Sequence, residues 1–540
     1  MSNHRFVIPA VLLGAVLSGC AALPEDRGRH DVAALLQARG QAIESASDPA
    51  VARQLLAGIE GHALTLNDAV RLALVNNPRL TAEYAQLGFA AADVYDAGRL
   101  SNPSLSASVL FPNVSGDANQ VGFGLVQSFT NLLLLPSRSR FAEGEFERIK
   151  QAVGAQALDL AADTGAAYYE LVGAWQMVTM REAVAKAAQA SAELAQRFFE
   201  AGNINRLELA LEQAAASQAQ LEVLQARSDV NAARSALNAL MGLSAREARW
   251  KIADRLPAPV ADEDATDALL DLADRSRLDL AAARTRVSLM ADALGVTRRF
   301  RYLGDIDVGV ETEREPDRSR ITGPTLSLEL PVFNQGKGRV ARSEAALQVA
   351  EAELRALEVE ISNDVRRAAA EVDAAKSRAA QYRQSLIPLR ESIVARTQEQ
   401  VNFMLVGQFE LLLSKQQEYD AYRGYLEAVR DYWLARVELA RDVGTSLPSD
   451  AQVRDATLDA EDLILPKDSG MGSMQHGGMR MDGAGGMKEM DHSGHVMKDM
   501  PGMKGMQHGT HGAPSTSGKE QVELPAAAQE RPHAHERPQQ

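Results

Sequence analysis

Twice in this chain, about two hundred residues apart, more than sixty residues pass with almost nothing to end a helix. Ser137 to Ala201 contains no proline, and Gly338 to Val406 contains one, Pro388. At 1.5 Å per residue each run predicts a helix roughly 100 Å long, too long for a compact domain. Ile149, Val153, Leu158 and Leu160, and again Leu354, Leu357, Ile361 and Val365, recur at helical spacing among many alanines. Coiled-coil packing through small residues fits that pattern, whereas a solid bundle needs a wider stripe of larger side chains.

Each run ends near a glycine, in Phe198-Phe199-Glu200-Ala201-Gly202-Asn203 and in Phe403-Met404-Leu405-Val406-Gly407-Gln408. Glycine supplies the left-handed conformation that stops a helix, so Gly202 and Gly407 are expected to reverse the chain into return helices ending near Gly242 and Gly444. Upstream of each long run lie a helix, near Leu64 to Gly98 or Asp267 to Gly295, and two short alternating segments. The order therefore occurs twice, at a spacing far beyond solenoid periods of about 20–50 residues, and reads as a duplicated domain.

The alternating segments predict strands. Leu105, Ala107, Val109 and Phe111 alternate with Ser104, Ser106 and Ser108, and Ile306, Val308 and Val310 with Asp305, Asp307, Gly309 and Glu311. Leu326, Leu328 and Leu330 stand against Thr325, Ser327 and Glu329, bounded by Pro324 and Pro331. A weaker pattern runs from Val121 to Thr130, with Val121, Phe123, Leu125 and Phe129 on one side. Each strand has one apolar and one polar face. A soluble sheet with one wet side satisfies this; so does a membrane barrel, which the strand length and the acidic polar face favour. Four strands cannot close a barrel, since about eight is the practical minimum, so a barrel has to be shared between chains.

The formal net charge of −15 argues against a nucleic-acid partner, which needs an extended basic surface. Aromatics at 5% argue against a large aromatic core. No Ser/His/Asp, Walker or zinc-ligand constellation is visible, His62 is the one histidine between the linker and the tail, and no enzyme is expected.

The N-terminus carries His4 and Arg5, an apolar stretch from Phe6 to Leu17, and Leu17-Ser18-Gly19-Cys20. This resembles a bacterial lipoprotein signal, 1–19, with cleavage before an acylated Cys20, the chain's one cysteine. A free or buried thiol is the alternative, which a lone cysteine directly after a signal h-region disfavours. Ala21 and Ala22 leave no aspartate where inner-membrane lipoproteins carry one, which implies the outer membrane. No later stretch is apolar enough for a transmembrane helix. Residues 20–61 are expected to be a polar, lipid-anchored linker, followed by the first repeat at 62–242, a connector at 243–266 and the second repeat at 267–446.

From 447 to 540 a disordered tail is expected. Its segment 471–511 sets Met471, Met474, His476, Met479, Met481, Met487, Met490, His492, His495, Met497, Met500, Met503, Met506, His508 and His511 among glycines, with ten of the chain's sixteen methionines. Thioethers are soft ligands suited to Cu(I) and Ag(I), and imidazoles accept Cu(II) and other borderline ions. The alternative is a passive flexible tail.

Across nearly all of 60–446 the chain resembles the TolC-like outer membrane factor family. The likeness rests on Asn77-Pro78-Arg79-Leu80, Asn102-Pro103 before the first strand, the run Leu330-Pro331-Val332-Phe333-Asn334-Gln335-Gly336-Lys337-Gly338-Arg339, and the two turns. The resemblance implies a mainly α fold with a small β-barrel contribution: a homotrimer with a shared 12-stranded barrel on a 12-helix coiled-coil tunnel. It implies tip turns at Ala201, Gly202, Asn203, Val406, Gly407 and Gln408 that dock a periplasmic adaptor, itself joined to an inner-membrane RND-type pump. It requires no cofactor. The acidic ring that some family members place after the second turn does not carry over, because that stretch reads Glu410-Leu411-Leu412-Leu413-Ser414-Lys415-Gln416. Export of copper, silver or other heavy metals is the leading expectation; drug or solvent export, and a periplasmic metal-buffering lipoprotein, are the alternatives.

Overall fold

A computed structural model describes residues 26–41, 49–111, 113 and 118–453. The signal segment, Cys20 and the Met/His-rich tail lie outside the described residues. The first repeat comprises α3 (Leu66–Asn76), α4 (Pro78–Ala97), β1 (Ser104–Leu110), β2 (Gln120–Ser128), α5 (Phe129–Glu200) and α6 (Arg206–Leu240), after α1 (Arg29–Gln37) and α2 (Pro49–Ile59). The second comprises α7 (Thr266–Ser276), α8 (Leu278–Arg299), β3 (Ile306–Arg314), β4 (Arg320–Leu328), α9 (Lys337–Gln381), a π-helical turn (Tyr382–Leu386), α10 (Ile387–Asn402) and α11 (Gln408–Val443).

Local chemistry sets these boundaries. Asn77 separates α3 from α4: its side-chain oxygen accepts from the Arg79 and Leu80 amides at 2.8 and 3.3 Å, and Pro78 opens the next helix without needing its missing N–H. The continuous helix expected over Leu64 to Gly98 is thus two helices. The same break recurs at Arg277 between α7 and α8. The long helix begins at Phe129 rather than after Pro136, because β2 leads directly into it, and the proline lies inside the helix in its third turn. Pro388 does not end the second long run. It falls just after the π turn, whose wider spacing absorbs the hydrogen bond that proline cannot donate.

The region expected to be a polar linker contains α1 and α2. Val32 and Leu36 of α1 are fully buried against Leu74, Tyr84, Leu87 and Val153, contributing about 1.5–3 kcal/mol each. Three apolar residues spaced along one face, Val32, Ala33 and Leu36, give the helix something to bury. The connector 243–266 is irregular but buries Trp250, Leu256 and Val260, and a parallel bridge joins Lys251 to Ala63.

Equivalent residues of the repeats make equivalent contacts. Gly242 and Gly444 both adopt left-handed conformations (φ +68° and +76°) after their return helices. Beside them Asn77 Nδ2 donates to the Leu240 carbonyl at 2.7 Å, and Arg277 Nη1 to the Asp442 carbonyl at 2.8 Å. A Cβ on Gly242 would lie 2.4 Å from the Asn76 carbonyl oxygen, so the close approach requires glycine.

Candidate channel wall and helical tip

The four strands form one antiparallel sheet in the order β1-β2-β3-β4, so the central β2–β3 pairing joins the two repeats. Register puts side chains into rows. Leu105, Leu125, Val310 and Pro324 form one row on one face; Gln127, Val308 and Leu326 form the next, with Ile306 opposite Leu328 beyond it. The apolar members are exposed, Leu105 at 75% and Leu326 at 71%. The opposite face carries Ser104, Ser106 and Ser108 against Val126, Gly124 and Gly122, then Asp307, Gly309, Glu311 and Glu313 against Ser327, Thr325, Gly323 and Ile321. One face is mainly apolar, apart from Gln127, the Thr312–Thr322 pair and the Arg314–Arg320 pair; the other is small, polar or acidic apart from Leu110, Val126 and Ile321.

Pro324 was expected to bound the last strand but lies inside it, opposite Val310. β4 is a sheet edge in the single chain, and an edge strand tolerates a residue without an N–H. β1 and β4 both have open edges. At the helix junction Thr130 Oγ1 accepts from the Ile306 amide at 2.8 Å and donates to the Gly304 carbonyl at 3.3 Å, tying the base of the sheet to α5.

At the far end of the long helices the two turns share one geometry, but not at the two glycines expected. After α5, the Asn203 amide bonds to the Phe198 carbonyl at 2.8 Å and the Gly202 amide to Phe199 at 2.9 Å, with Gly202 at φ +75°. After α10, the Leu405 amide bonds to Gln400 and the Met404 amide to Val401, both at 2.9 Å, with Met404 at φ +59°. These are two Schellman motifs, and Met404 occupies the position of Gly202. Gly407 has extended backbone (φ −79°, ψ 160°) as the N-cap of α11. It corresponds to Asn205, whose side chain and Glu208 form a capping box on α6. The expectation that Gly407 supplies the left-handed turn is therefore incorrect; proximity in sequence drew attention to the wrong residue.

Ala201, Gly202, Asn203, Gly407 and Gln408 are exposed and Val406 is half-buried. The structure adds Phe403, Met404 and Leu405, all largely exposed, with Leu207 and Leu211 on the first return helix. Three consecutive apolar residues in a turn were the signal available in the sequence. Between sheet and tip, the buried Arg436 pairs with Glu263 of the connector and with Asp450 at 2.5 Å, and donates to Ser449 Oγ at 3.0 Å. Tyr432 Oη donates to Glu263 at 2.6 Å, and Trp433 Nε1 to the Pro257 carbonyl at 2.7 Å. Nearby, burial first, and then the like charges of Glu438 and Asp364, push the Asp442 carboxyl up to about 6, against the opposing pull of Arg367 and Arg277.

Among the described residues no three His, Cys, Asp or Glu side chains converge as a metal site, and no helix is long and apolar enough to cross a membrane. Residues 69–243 match the model of the family described as outer membrane efflux protein. The chain is 23% identical over 331 residues to the cobalt-zinc-cadmium resistance protein CzcC of Cupriavidus metallidurans, spanning 60% of this chain and 77% of that protein. Its fold is similar to that of the outer membrane protein VceC of Vibrio cholerae, with TM-score 0.59 and 18% identity over 71% of this chain and 96% of VceC. It is likewise similar to CusC, with TM-score 0.57 and 15% identity over 72% and 94% of the two chains. The resemblance to outer membrane factors thus holds in family model, relative and fold, and with it the outer-membrane address and periplasmic helical body.

Proposed function

We propose that three copies of this outer membrane factor form a passive export conduit for heavy-metal cations, copper or silver foremost. The observation that carries the reading is the four-stranded sheet, with its exposed apolar face, acidic opposite face and two open edges. Backbone groups cannot remain unpaired in hydrocarbon, so each β4 edge pairs with β1 of the next copy. Two copies would supply eight strands, whose inward side chains fill the interior; three supply twelve and leave a water-filled lumen. Asp307, Glu311 and Glu313 line that lumen and raise the local cation concentration.

Closure of the barrel fixes what the helices do. Three pairs of long helices and their return helices enclose a tunnel that continues the lumen into the periplasm. The tips, with Ala201, Gly202, Asn203, Val406, Gly407 and Gln408 beside the exposed Phe403, Met404 and Leu405, meet the adaptor that connects the tunnel to an RND-type pump. Cys20 carries the lipid anchor.

Three features support a metal cargo: the acidic sheet face, the likeness to a protein named for cobalt, zinc and cadmium resistance, and the Met/His-rich 471–511 segment. Sulfur donors in that segment favour Cu(I) and Ag(I) among the candidates. Planar-bilayer recordings of the purified protein test the conduit: cation-selective channels are expected, and a protein that inserts without conductance would overturn it. Deleting the gene and scoring survival in copper, silver, cobalt, zinc and drug gradients tests the cargo. Sensitivity to drugs alone would replace the metal reading with drug export.

A further inference from the structure

We propose that Arg314 and Arg320 form a binding site for the phosphate groups of an outer-leaflet glycolipid, a reading that rests on the membrane barrel proposed above. The two residues are direct cross-strand partners on the apolar face, and Val121 lies beside Arg314 in the same row. The rows leading to them are graded. Leu125 and Val310 give way to Phe123, Thr312 and Thr322, with the two threonine hydroxyls 2.8 Å apart, and then to the arginines. From Ile306 to Arg314 the strand runs about 26 Å, or about 20 Å along the membrane normal at barrel tilt, which carries the arginines to the outer edge of an apolar band roughly 25 Å tall.

Two like charges directly opposite on a sheet repel each other. Both arginines are exposed, and among the described residues neither guanidinium has an ion-pair or hydrogen-bond partner. Glu313, next to Arg314, belongs to the other face and accepts a hydrogen bond from Gln120 Nε2. A third arginine, Arg318, sits in the β3–β4 hairpin turn. That hairpin is the end of the sheet remote from the helices, so a periplasmic helical body puts it at the outer leaflet. There a phosphate between two guanidinium groups relieves their repulsion. Each planar fork matches phosphate oxygens with paired hydrogen bonds, while the aliphatic stems lie along the apolar band.

The test uses the full-length protein purified in mild detergent, as wild type and as the Arg314→Gln/Arg320→Gln double variant. Each is titrated with bis-phosphorylated lipid A, with dephosphorylated lipid A and with inorganic phosphate, and bound lipid is counted by native mass spectrometry. The double variant is expected to bind the bis-phosphorylated lipid about thirty-fold more weakly, roughly five-fold for each arginine removed. Dephosphorylated lipid is expected to bind wild type and variant equally and weakly, and inorganic phosphate not to compete at equal concentration. Equal affinity of wild type and variant for the phosphorylated lipid would overturn the site, as would full competition by inorganic phosphate. Conductance of both proteins in phosphatidylcholine bilayers separates the two readings. Channels from both with no affinity difference reject the lipid site alone, whereas no channels from either reject the membrane barrel and the site with it.

Discussion

Met404 shows how much a single backbone angle matters at the helical tip. A non-glycine residue in the left-handed region costs about 1–2 kcal/mol, and Gly202 avoids that cost at the equivalent place. Met404→Gly is therefore expected to stabilise its hairpin by about 1 kcal/mol and Gly202→Ala to destabilise the other by a similar amount. Gly407→Ala should change stability little, because its backbone is extended and nothing lies within 4 Å of an added Cβ. Hydrogen exchange of the turn amides distinguishes the three; a large loss of protection in Gly407→Ala would contradict the assignment. Asp442 offers a pH test at the same scale. Its folded carboxyl titrates near 6 against an ordinary value of 3.8, so between those values the folded chain holds a proton that the unfolded chain has released. Stability falls as pH rises through that window. Asp442→Asn should unfold at a higher temperature than wild type at pH 8, with the gap closing below about pH 4.

At the scale of elements, the middle of the molecule is held by polar groups as well as by its core. Arg436 of α11 joins the connector through Glu263 and the Pro448–Gln452 turn through Ser449 and Asp450. Tyr169 stacks on Trp433 at 5.1 Å between ring centroids, so this clamp sits against the aromatic part of the core. Arg436→Met leaves Glu263 in a half-buried site without its closest cation. A loss of about 3–5 kcal/mol in chemical denaturation is expected, with Arg436→Met/Glu263→Gln recovering part of it. Additive losses in the two single variants would show that the pair does not act as a unit. The clamp holds Ser449 and Asp450 against α11 shortly before the described chain ends at Val453, so the tail should be removable without disturbing the tunnel.

At the scale of the molecule, shared closure of the sheet predicts a trimer in detergent, and light scattering that returns a monodisperse monomer would remove the barrel. Truncation after Pro466 should preserve assembly and conductance while reducing tolerance to high copper or silver. The corresponding peptide should bind Cu(I) with an affinity that declines gradually as methionines are replaced, because its thioether and imidazole ligands are many and no one of them is essential. Full metal tolerance of the truncated protein, together with a peptide that does not bind Cu(I), would reduce the segment to a passive linker. Cys20→Ala should abolish acylation, read as loss of incorporated palmitate, while the apolar band still supports insertion.

Periodicity and breakers were enough to read the duplicated architecture from the sequence. The long helices, return helices and alternating strands follow from spacings of apolar residues that local geometry enforces, and Leu105, Val308 and Leu326 fall on the face their alternation indicates. Three features were decided only in three dimensions. The left-handed residue of the second turn is Met404 because the hydrogen bonds to Gln400 and Val401 set the helix end, and composition alone pointed to Gly407. Helix α1 forms in a segment that looks like a linker because Val32 and Leu36 find a surface on α4 and α5, and so short a helix is marginal in water without one. The pairing of Arg314 with Arg320 depends on strand register, which long-range hydrogen bonding fixes and no local pattern encodes.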